Sequence, residues 1–225
     1  MKTSLILACA GKGTRAGFNQ NKLLISKNGS TILEQTLNAF VDSILIDQII
    51  ITASQVDFDI IKGLAKDKAT IVLGGQTRTA SIKNALEKAT GDIVLIHDGA
   101  RPFVSTRLIK DCINTAKQFG SAIPVIKSRD TIAKISDDAI TEYVGKDTLA
   151  CIQTPQGFNA LAIKEAYLAL GDKAFNDDGE IYLNYVGTLN YFDGDSKNIK
   201  LTYSQDFCLD DKPTYRFGTG LIVIN

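Results

Sequence analysis

The sequence predicts an α/β fold with a doubly wound, mostly parallel sheet that helices cover on both faces. Short segments that are apolar throughout alternate with amphipathic segments of helical period. Strands of that kind are typical of parallel sheets buried on both faces. The length of 225 residues suits one large α/β domain. We therefore predict a single domain of this kind over residues 1–225, with a projecting β-hairpin arm at about 128–148.

The first 126 residues contain five apolar segments that we predict to be strands. They lie at residues 5–7, 48–53, 70–73, 92–96 and 121–126. Between them, apolar residues at helical spacing predict helices at 33–41, about 56–66, 82–89 and 108–119. Ser30 or Thr31 is a suitable cap for the first helix. This alternation is the basis of the predicted parallel sheet.

The pattern changes after residue 127. Residues 131–135 and 139–144 flank a polar turn at 136–138 and predict a hairpin. An arm that supports subunit pairing and a simple surface excursion both fit this segment. Residues 152–156 then return towards the sheet, followed by helices at about 160–170 and 177–186 and a last strand at 198–202.

Composition limits the classes of partner. There are 25 basic and 25 acidic residues, so the chain has no global field that would attract nucleic acid. Four scattered cysteines and one histidine argue against a structural zinc site and fit reduced thiols in the cytoplasm. The apolar run near the N-terminus is too short for a signal peptide, and no stretch is suited to span a membrane.

Polar clusters follow three of the predicted strands. They occupy residues 11–22, 74–81 and 98–101. Ligands of doubly wound sheets bind at the carboxyl ends of the strands, so we expect these clusters to converge.

The first cluster is a glycine loop that suits a phosphate group. It lacks the Walker A pattern, and its match to a dinucleotide fingerprint at Gly11, Gly13 and Ala16 is weak because no acidic residue closes the second strand. Arg15 and Lys22 follow at once, which favours a phosphate cradle over two ordinary surface cations.

The third cluster contains a carboxylate directly after an apolar strand. Asp98 needs a partner in that position, either Mg²⁺ or Arg101. A purely structural pair with Arg101 is the alternative. His97 has no neighbours that would complete a catalytic triad, so we interpret it as structural.

Five motifs in order resemble one family. They are Ala10-Gly11-Lys12-Gly13-Thr14-Arg15 with Lys22, Gly74-Gly75-x-x-Arg78-x-x-Ser81, His97-Asp98-Gly99-Ala100-Arg101-Pro102, Thr154-Pro155-Gln156 and Asn198-Ile199-Lys200-Leu201-Thr202. Together they resemble the 2-C-methyl-D-erythritol 4-phosphate cytidylyltransferases of isoprenoid biosynthesis, over about residues 3–210. The resemblance implies a Rossmann-like nucleotidyltransferase domain over residues 1–225 and a homodimer built through the arm. It also implies the substrates CTP and a polyol phosphate and a requirement for Mg²⁺.

The resemblance also implies roles for individual residues. Arg15, Lys22 and Lys200 would be catalytic, and Asp98 would hold the metal. Nucleotide-binding positions are Ala8, Ala10, Gly11, Gly13, Gly75, Ser81, Asp98 and Ala100. Positions for the sugar phosphate are Arg101, Thr131, Lys146 and Thr154, with Thr131 and Lys146 reaching across the dimer.

Several positions depart from the family pattern. Lys22 lies between Asn21 and Leu23 instead of Pro and Gln, and Lys146 replaces an Arg. The other departures are Cys9 and Gly99, which both replace Ala, and Gln76, which replaces an Asp.

Two other functions remain open from the sequence. A cytidylyltransferase for another polyol phosphate, such as ribitol 5-phosphate, would use similar loops, although Ser81 favours methylerythritol phosphate. The other function is nucleotide binding without catalysis. It is disfavoured by the joint presence of Arg15, Lys22, Asp98 and Lys200. The tail at 216–220 resembles the opening of a cyclodiphosphate synthase, but an apolar C-terminal segment is the preferred interpretation.

Overall fold

A central sheet organises the molecule in the computed structural model, which describes residues 1–11, 20–171, 173, 175–208, 215–217 and 220–222. The strands are β1 Thr3–Ala8, β2 Ser26–Lys27, β3 Ser30–Thr31, β4 Gln48–Ala53, β5 Thr70–Leu73, β6 Ile93–Asp98, β7 Ser121–Lys127, β8 Ile132–Ser136, β9 Ala139–Val144, β10 Ala150–Ile152, β11 Gln156–Asn159, β12 Tyr191–Asp193, β13 Tyr215–Phe217 and β14 Gly220–Ile222. The helices are α1 Ile32–Val41, α2 Phe58–Ala65, α3 Arg78–Leu86, α4 Thr106–Phe119, α5 Ala160–Ala169 and α6 Asp178–Tyr185.

The sheet has eight strands and is mostly parallel. Seven follow the order β10-β7-β11-β6-β1-β4-β5, and β12 pairs with β7. β1 is parallel to β4 and β6, and β4 is parallel to β5. β11 lies antiparallel between β6 and β7. The predicted parallel sheet is confirmed, but β11 and β12 were not predicted as strands.

Alternate residues of the central strands feed two separate cores. Leu5 and Leu7 face a core that contains residues of α1, α2 and α4, while Ile6 faces one that contains residues of α3, α5 and α6. Successive side chains of a strand point to opposite faces, so an apolar strand needs cover on both sides. The helices therefore lie on both faces, as predicted.

Local signals explain where several helices begin and end. Thr31 caps α1 and forms a reciprocal capping box with Glu34, which confirms Thr31 rather than Ser30 as the cap. The hydrogen bonds from Thr31 lower the pKa of Glu34. α4 begins after Ser105 and ends at Gly120, which adopts a φ of 84°. α6 begins after Asp177, as expected for residues 177–186.

The prediction of a strand at 198–202 is wrong. These residues form no strand, although Leu201 N–H donates to the carbonyl of Ala100 at 2.9 Å. β-Branched Ile199 and Thr202 imitate a strand pattern, but side chains from other elements bind this backbone instead of a neighbouring strand.

The arm forms a two-stranded hairpin of its own. β8 and β9 pair antiparallel, and Asp137 and Asp138 supply the positive φ angles of the turn. Ile135, Ile140 and Tyr143 on this hairpin are exposed. Across the described part of the chain, no helix combines the length and the hydrophobicity needed to cross a membrane.

Candidate active site

The glycine pair after β5 contacts the loop after β1. A Cβ atom on Gly74 would lie 2.4 Å from the Cβ of Ala10, so only glycine allows this approach. Gly74 N–H also donates to the carbonyl of Ala53 at the end of β4. The start of the second predicted cluster therefore lies against Ala10, the residue just before the first cluster, at the carboxyl edge of the sheet.

Ser81 shapes the Gly75 loop. Its hydroxyl accepts a hydrogen bond from Gly75 N–H at 3.0 Å and donates to the carbonyl of Thr77 at 2.8 Å. Ser81 is 4% exposed, so its observed contact is with the loop backbone. The hydroxyl thus fixes the surface that Gly75 presents.

Asp98, the last residue of β6, is surrounded by cationic side chains. Its Oδ2 lies 2.9 Å from Lys200 Nζ and 3.5 Å from Arg101 Nε, and its Oδ1 lies 3.9 Å from Arg78 Nη2. The purely structural Asp98–Arg101 pair is therefore incomplete as an account of this carboxylate, because Lys200 is closer.

The environment of this cluster shifts the pKa values of Asp98 and Arg101. Burial disfavours the ionised carboxylate, but Lys200, Arg78 and Arg101 together hold the pKa of Asp98 well below its usual range. Burial lowers the pKa of Arg101, and Asp98 opposes that effect. Asp98 is thus a carboxylate at neutral pH.

Lys200 lies on an irregular segment, residues 194–201, that other parts of the site hold in place. Lys22 Nζ donates to the carbonyl of Leu201 at 2.7 Å, and Arg101 Nη1 donates to the carbonyl of Asn198 at 2.8 Å. Asn198 Nδ2 in turn donates to the carbonyl of Thr154 at 2.7 Å. The structure therefore brings Lys22, Arg101, Thr154 and Lys200 together around this segment.

His97 and Thr154 form a buried hydrogen-bonded chain behind Asp98. Asp98 N–H donates to Thr154 Oγ1, which is 3.0 Å from His97 Nδ1. His97 Nε2 faces the carbonyl of Arg101 at 3.1 Å and must donate to it, which makes Nδ1 the acceptor in the neutral ring. Burial lowers the pKa of His97 to about 4. His97 is structural, as predicted.

Arg78 links the site to α6. Its two terminal nitrogens donate to both oxygens of Asp178, at 3.0 and 2.6 Å. Tyr167 donates its hydroxyl to the same carboxylate, which is fully buried. Burial opposes the charge of Arg78, but Asp178 and Asp98 together raise its pKa. Desolvation and Asp178 raise the pKa of Tyr167.

Not every predicted site residue joins this cluster. Gly13 and Arg15 lie outside the residues that the structure describes. Thr131 and Lys146 are exposed on the arm segment. Gly11 is exposed, and a Cβ there would meet open space, whereas Ala100 is buried and its carbonyl binds Leu201.

Arg78, Asp178, Gln153 and Asn198 were not among the predicted site residues. Arg78 stood in the glycine-pair motif, and Asp178 belongs to an acidic stretch at 176–180 that loosely resembles one of the family. Asn198 opens the motif that contains Lys200, whereas no local pattern distinguishes Gln153. Their contacts depend on where residues 194–201 lie in the fold.

Magnesium can be tested against the donor atoms present. Mg²⁺ in phosphate-binding sites needs only one or two protein carboxylates, because substrate phosphates and water complete its shell. Asp98 fits that mode, since it is ionised and its Oδ1 is 3.9 Å from Arg78, too long for a hydrogen bond. Among the described residues, no group of three His, Cys, Asp or Glu side chains is suited to hold a metal alone.

A mostly parallel sheet whose carboxyl edge carries Ala10, the Gly74–Gly75 loop and one carboxylate among cations has the architecture of a nucleotidyltransferase-like α/β protein. The family model described as 2-C-methyl-D-erythritol 4-phosphate cytidylyltransferase matches residues 3–212. The chain belongs to this family.

Individual relatives agree with that assignment. A protein of this name from Clostridium beijerinckii is 37% identical over 217 residues, covering 92% of this chain and 95% of the relative. The crystal structure of the Thermus thermophilus protein of the same name has a TM-score of 0.80 at 30% identity, covering 92% of this chain and 96% of that one. The bifunctional IspDF of Campylobacter jejuni has a TM-score of 0.82 at 25% identity, covering 96% of this chain and 56% of that one.

Proposed function

We propose that this chain transfers CMP from CTP to the phosphate of 2-C-methyl-D-erythritol 4-phosphate, releasing pyrophosphate, as a step in isoprenoid precursor synthesis. The observation that carries the proposal is the cationic cluster around Asp98, which lies at the same sheet edge as the Ala10 and Gly74 loops. Family membership supports the choice of substrates.

The reaction needs charge neutralisation more than proton transfer. A phosphate oxygen of the acceptor attacks the α-phosphorus of CTP in line, the bond to the bridging oxygen of the β-phosphate breaks, and pyrophosphate leaves with that electron pair. A phosphate monoester has its second pKa near about 6, so the nucleophile is already an anion. The state of His97 agrees with a reaction that needs no general base. Its ring is buried, and both of its nitrogens are engaged in hydrogen bonds within the protein.

The cations of the site would bring two anions together and stabilise the pentacoordinate α-phosphorus. In the described site, Arg78, Arg101 and Lys200 lie within 3.9 Å of Asp98, and Lys22 donates to the carbonyl of Leu201 on the segment that carries Lys200. By family resemblance, Arg15 would act beside Lys22.

Asp98 would hold Mg²⁺ together with the nucleotide phosphates. The ion supplies Lewis-acid neutralisation of phosphoryl charge when bound. Asp98 stays ionised across the physiological range, because the surrounding cations lower its pKa. Lys200 Nζ, now 2.9 Å from Asp98 Oδ2, is placed to exchange that contact for a phosphate oxygen.

The nucleotide would lie along the two glycine loops. Ala8, Ala10 and Gly11 border the first loop, with Gly13 assigned to it by resemblance alone. Gly75 would face the base and ribose, with Ser81 fixing that loop. Ala100 would border the same cleft through the turn after Asp98, where Arg101 N–H donates to Asp98 O.

The sugar phosphate would bind near Arg101 and Thr154. Both residues are buried next to Asp98, so they would act from the floor of the site. Thr131 and Lys146 are exposed on the arm segment, which suits residues that reach the site of a second subunit. We therefore propose a homodimer formed through the arm. Free thiols at Cys9, Cys112 and Cys151 support a cytoplasmic location.

Pyrophosphate release tests the proposal. Each of the four NTPs is combined with 2-C-methyl-D-erythritol 4-phosphate, ribitol 5-phosphate or other polyol phosphates, with and without EDTA. We expect release only with CTP and methylerythritol phosphate, and its loss when the metal is chelated. Preference for ribitol 5-phosphate would change the substrate assignment. CTP binding without turnover of any acceptor would overturn the proposed activity.

A further inference from the structure

We propose that Gln153 is a positioning residue for Lys200: its carboxamide fixes the backbone of residues 195–198, and thereby the ammonium that faces Asp98. The inference rests on the proposed function for its catalytic consequence. Its structural part, the clamp on residues 194–201, can be tested without any substrate.

Residues 194–201 need such a clamp because no strand or helix holds them. Some local bonds exist, since Gly194 N–H donates to Val125 O and Asn198 N–H to Asp195 O. The carbonyls of Asp195 and Asn198 receive their side-chain donors from elsewhere in the chain. The path of the segment is thus set by tertiary contacts.

Gln153 makes three of these contacts with one side chain. Its Nε2 donates to Asp195 O at 2.9 Å and to Asn198 O at 3.1 Å, and its Oε1 accepts from Asp195 N–H at 3.0 Å. The residue is 5% exposed, and its own N–H donates to Pro124 O. A buried carboxamide with both ends satisfied is a rigid connection between β7 and the segment.

The backbone at Gly194 lies directly against the Gln153 carboxamide. A Cβ on Gly194 would lie 2.6 Å from Gln153 Oε1 and 3.0 Å from Val125 O. The backbone therefore approaches the carboxamide as closely as glycine permits. This close fit is a second, independent sign that the clamp has one geometry.

The clamp affects the active site because it fixes the backbone that carries Lys200. Asn198, which Gln153 holds, is two residues before Lys200, whose Nζ lies 2.9 Å from Asp98 Oδ2. Arg101 also donates to Asn198 O, whereas the carbonyl of Asp195 accepts from Gln153. Without Gln153, the segment would keep Arg101 at Asn198 and the bond from Arg107 to Gly194 O. At Asp195 it would lose both backbone contacts with the carboxamide and keep longer side-chain contacts with Ser105, at 3.4 Å, and Arg107, at 3.9 Å.

The test compares Gln153→Met with Gln48→Met. Methionine keeps the approximate size and removes the hydrogen bonds. Gln48 is a matched control, since it also binds backbone through its amide, to Lys88 O and from Thr90 N–H, at the amino end of β4. We expect Gln153→Met to lower kcat by about 10- to 100-fold, the size of effect seen when a catalytic group is misplaced, with a smaller change in KM for CTP. Gln48→Met should keep wild-type kcat.

A double-mutant cycle with Lys200→Met tests whether Gln153 affects catalysis through Lys200. If Gln153 acts through Lys200, adding Gln153→Met to Lys200→Met should cause little further loss. Losses that multiply in the double mutant would overturn the assignment. A wild-type enzyme that releases no pyrophosphate from CTP and methylerythritol phosphate would instead contradict the proposed function.

Hydrogen exchange tests the clamp independently of activity. Peptides covering residues 194–202 should exchange faster in Gln153→Met and unchanged in Gln48→Met. Gln153→Glu is a second variant, which keeps the length and the acceptor for Asp195 N–H but places an oxygen against two carbonyls. Wild-type exchange of this segment in both Gln153 variants would overturn the proposal, whatever the substrate.

Discussion

Single residues in this site work mainly through charge. Asp98 is buried and remains ionised because Lys200, Arg101 and Arg78 lie within 2.9 to 3.9 Å of its oxygens. Charges in a partly buried setting interact more strongly than in water. Under the proposed function, the cations that stabilise Asp98 would also bind the phosphates of the nucleotide.

Lys22→Ala tests the catalytic role of one cation. Removing a preorganised charge at a reacting phosphorus should lower kcat by about 100- to 1,000-fold. Lys164→Ala is the matched control, since Lys164 Nζ donates to the carbonyl of Ala89 just as Lys22 does to Leu201. Steady-state pyrophosphate release measures both. Near wild-type turnover of Lys22→Ala would contradict its role.

Cys9 and Gly99 form a compensated pair of departures from the family pattern. A Cβ on Gly99 would lie 2.5 Å from Cys9 Sγ, inside the buried floor of the site. Gly99→Ala should therefore lower the free energy of unfolding by about 1–3 kcal/mol through overpacking. In a Cys9→Ala background the same change should cost less, since the sulfur is gone.

Urea unfolding of the four proteins measures this coupling. Rescue should be partial, because the added methyl would still lie 3.2 Å from Leu23 Cδ1 and 3.3 Å from Ala8 O. Gly145→Ala, where a Cβ meets open space at a φ of −61°, controls for the general effect of replacing glycine. Equal costs of Gly99→Ala in both backgrounds would rule out the pairing.

At the scale of elements, the first turns of α3 and α6 are joined by one ion pair. Arg78 begins α3 and Asp178 begins α6, so their bond ties the glycine-pair loop to the opposite side of the helical layer. Asp178 also suits a helix N-terminus, where a negative charge is favourable. The contact makes the position of Arg78 beside Asp98 depend on α6.

Asp178→Asn should destabilise the protein by about 2–4 kcal/mol, because Arg78 loses its close counterion and keeps only the longer contact of 3.9 Å with Asp98. Asp111→Asn is the control, since the Arg107–Asp111 pair is exposed on both sides and should contribute less than about 1 kcal/mol. Chemical denaturation measures both variants. Equal effects would mean that the Arg78–Asp178 pair stabilises the fold no more than a surface pair.

At the scale of the whole molecule, we propose one domain whose two cores share a single sheet, with the arm as its projection. The proposed dimer places apolar arm residues at a subunit interface. Ile140→Asp should therefore yield monomers, measured by sedimentation, and lower kcat, because Thr131 and Lys146 would no longer reach a partner site.

A matched substitution makes this experiment specific. Ile44 is 99% exposed and lies away from the arm, in the turn after α1. Ile44→Asp should leave both the sedimentation coefficient and kcat unchanged. An Ile140→Asp protein that sediments like the wild type would contradict dimer formation through the arm.

Stability of the whole fold should fall with acid through His97. Its folded pKa of about 4 lies below the value of 6.5 for an unhindered ring, so the unfolded chain binds the proton first as the pH falls. The contribution of the neutral His97 ring to the free energy of unfolding is complete above about pH 6.5. It is lost as the pH falls towards 4, by at most about 1.4 kcal/mol per pH unit. Asp98 and Glu34 have lowered pKa values in the folded protein. They therefore change the stability only below their ordinary pKa values, and not between pH 4.5 and 6.5.

Unfolding experiments between pH 4.5 and 7 measure this slope, and His97→Gln should flatten it. His97 is the sole histidine in the sequence, so its ring can also be followed by NMR without assignment of others. Titration of the folded ring near pH 6.5 would contradict the buried, neutral state.

Much of the fold followed from local patterns. Apolar strands, the Thr31 capping box and the hairpin turn at 136–138 act through neighbouring residues, so periodicity and turn chemistry predict them. β11 and residues 198–202 did not follow. β11 is inserted between two strands by the chain returning from the arm, and residues 198–202 take their path from Arg101 and Gln153.

The sequence by itself determined the class of fold, the family and the residue types that gather at the sheet edge, because these depend on patterns repeated along the chain and on motifs in order. Only the tertiary structure decided which groups partner Asp98, why Gly74 and Gly99 must lack a side chain, and how Gln153 holds the segment of Lys200. Most of those answers depend on contacts between residues far apart in the sequence, such as Gln153 and Asp195, which are 42 positions apart and which packing brings together.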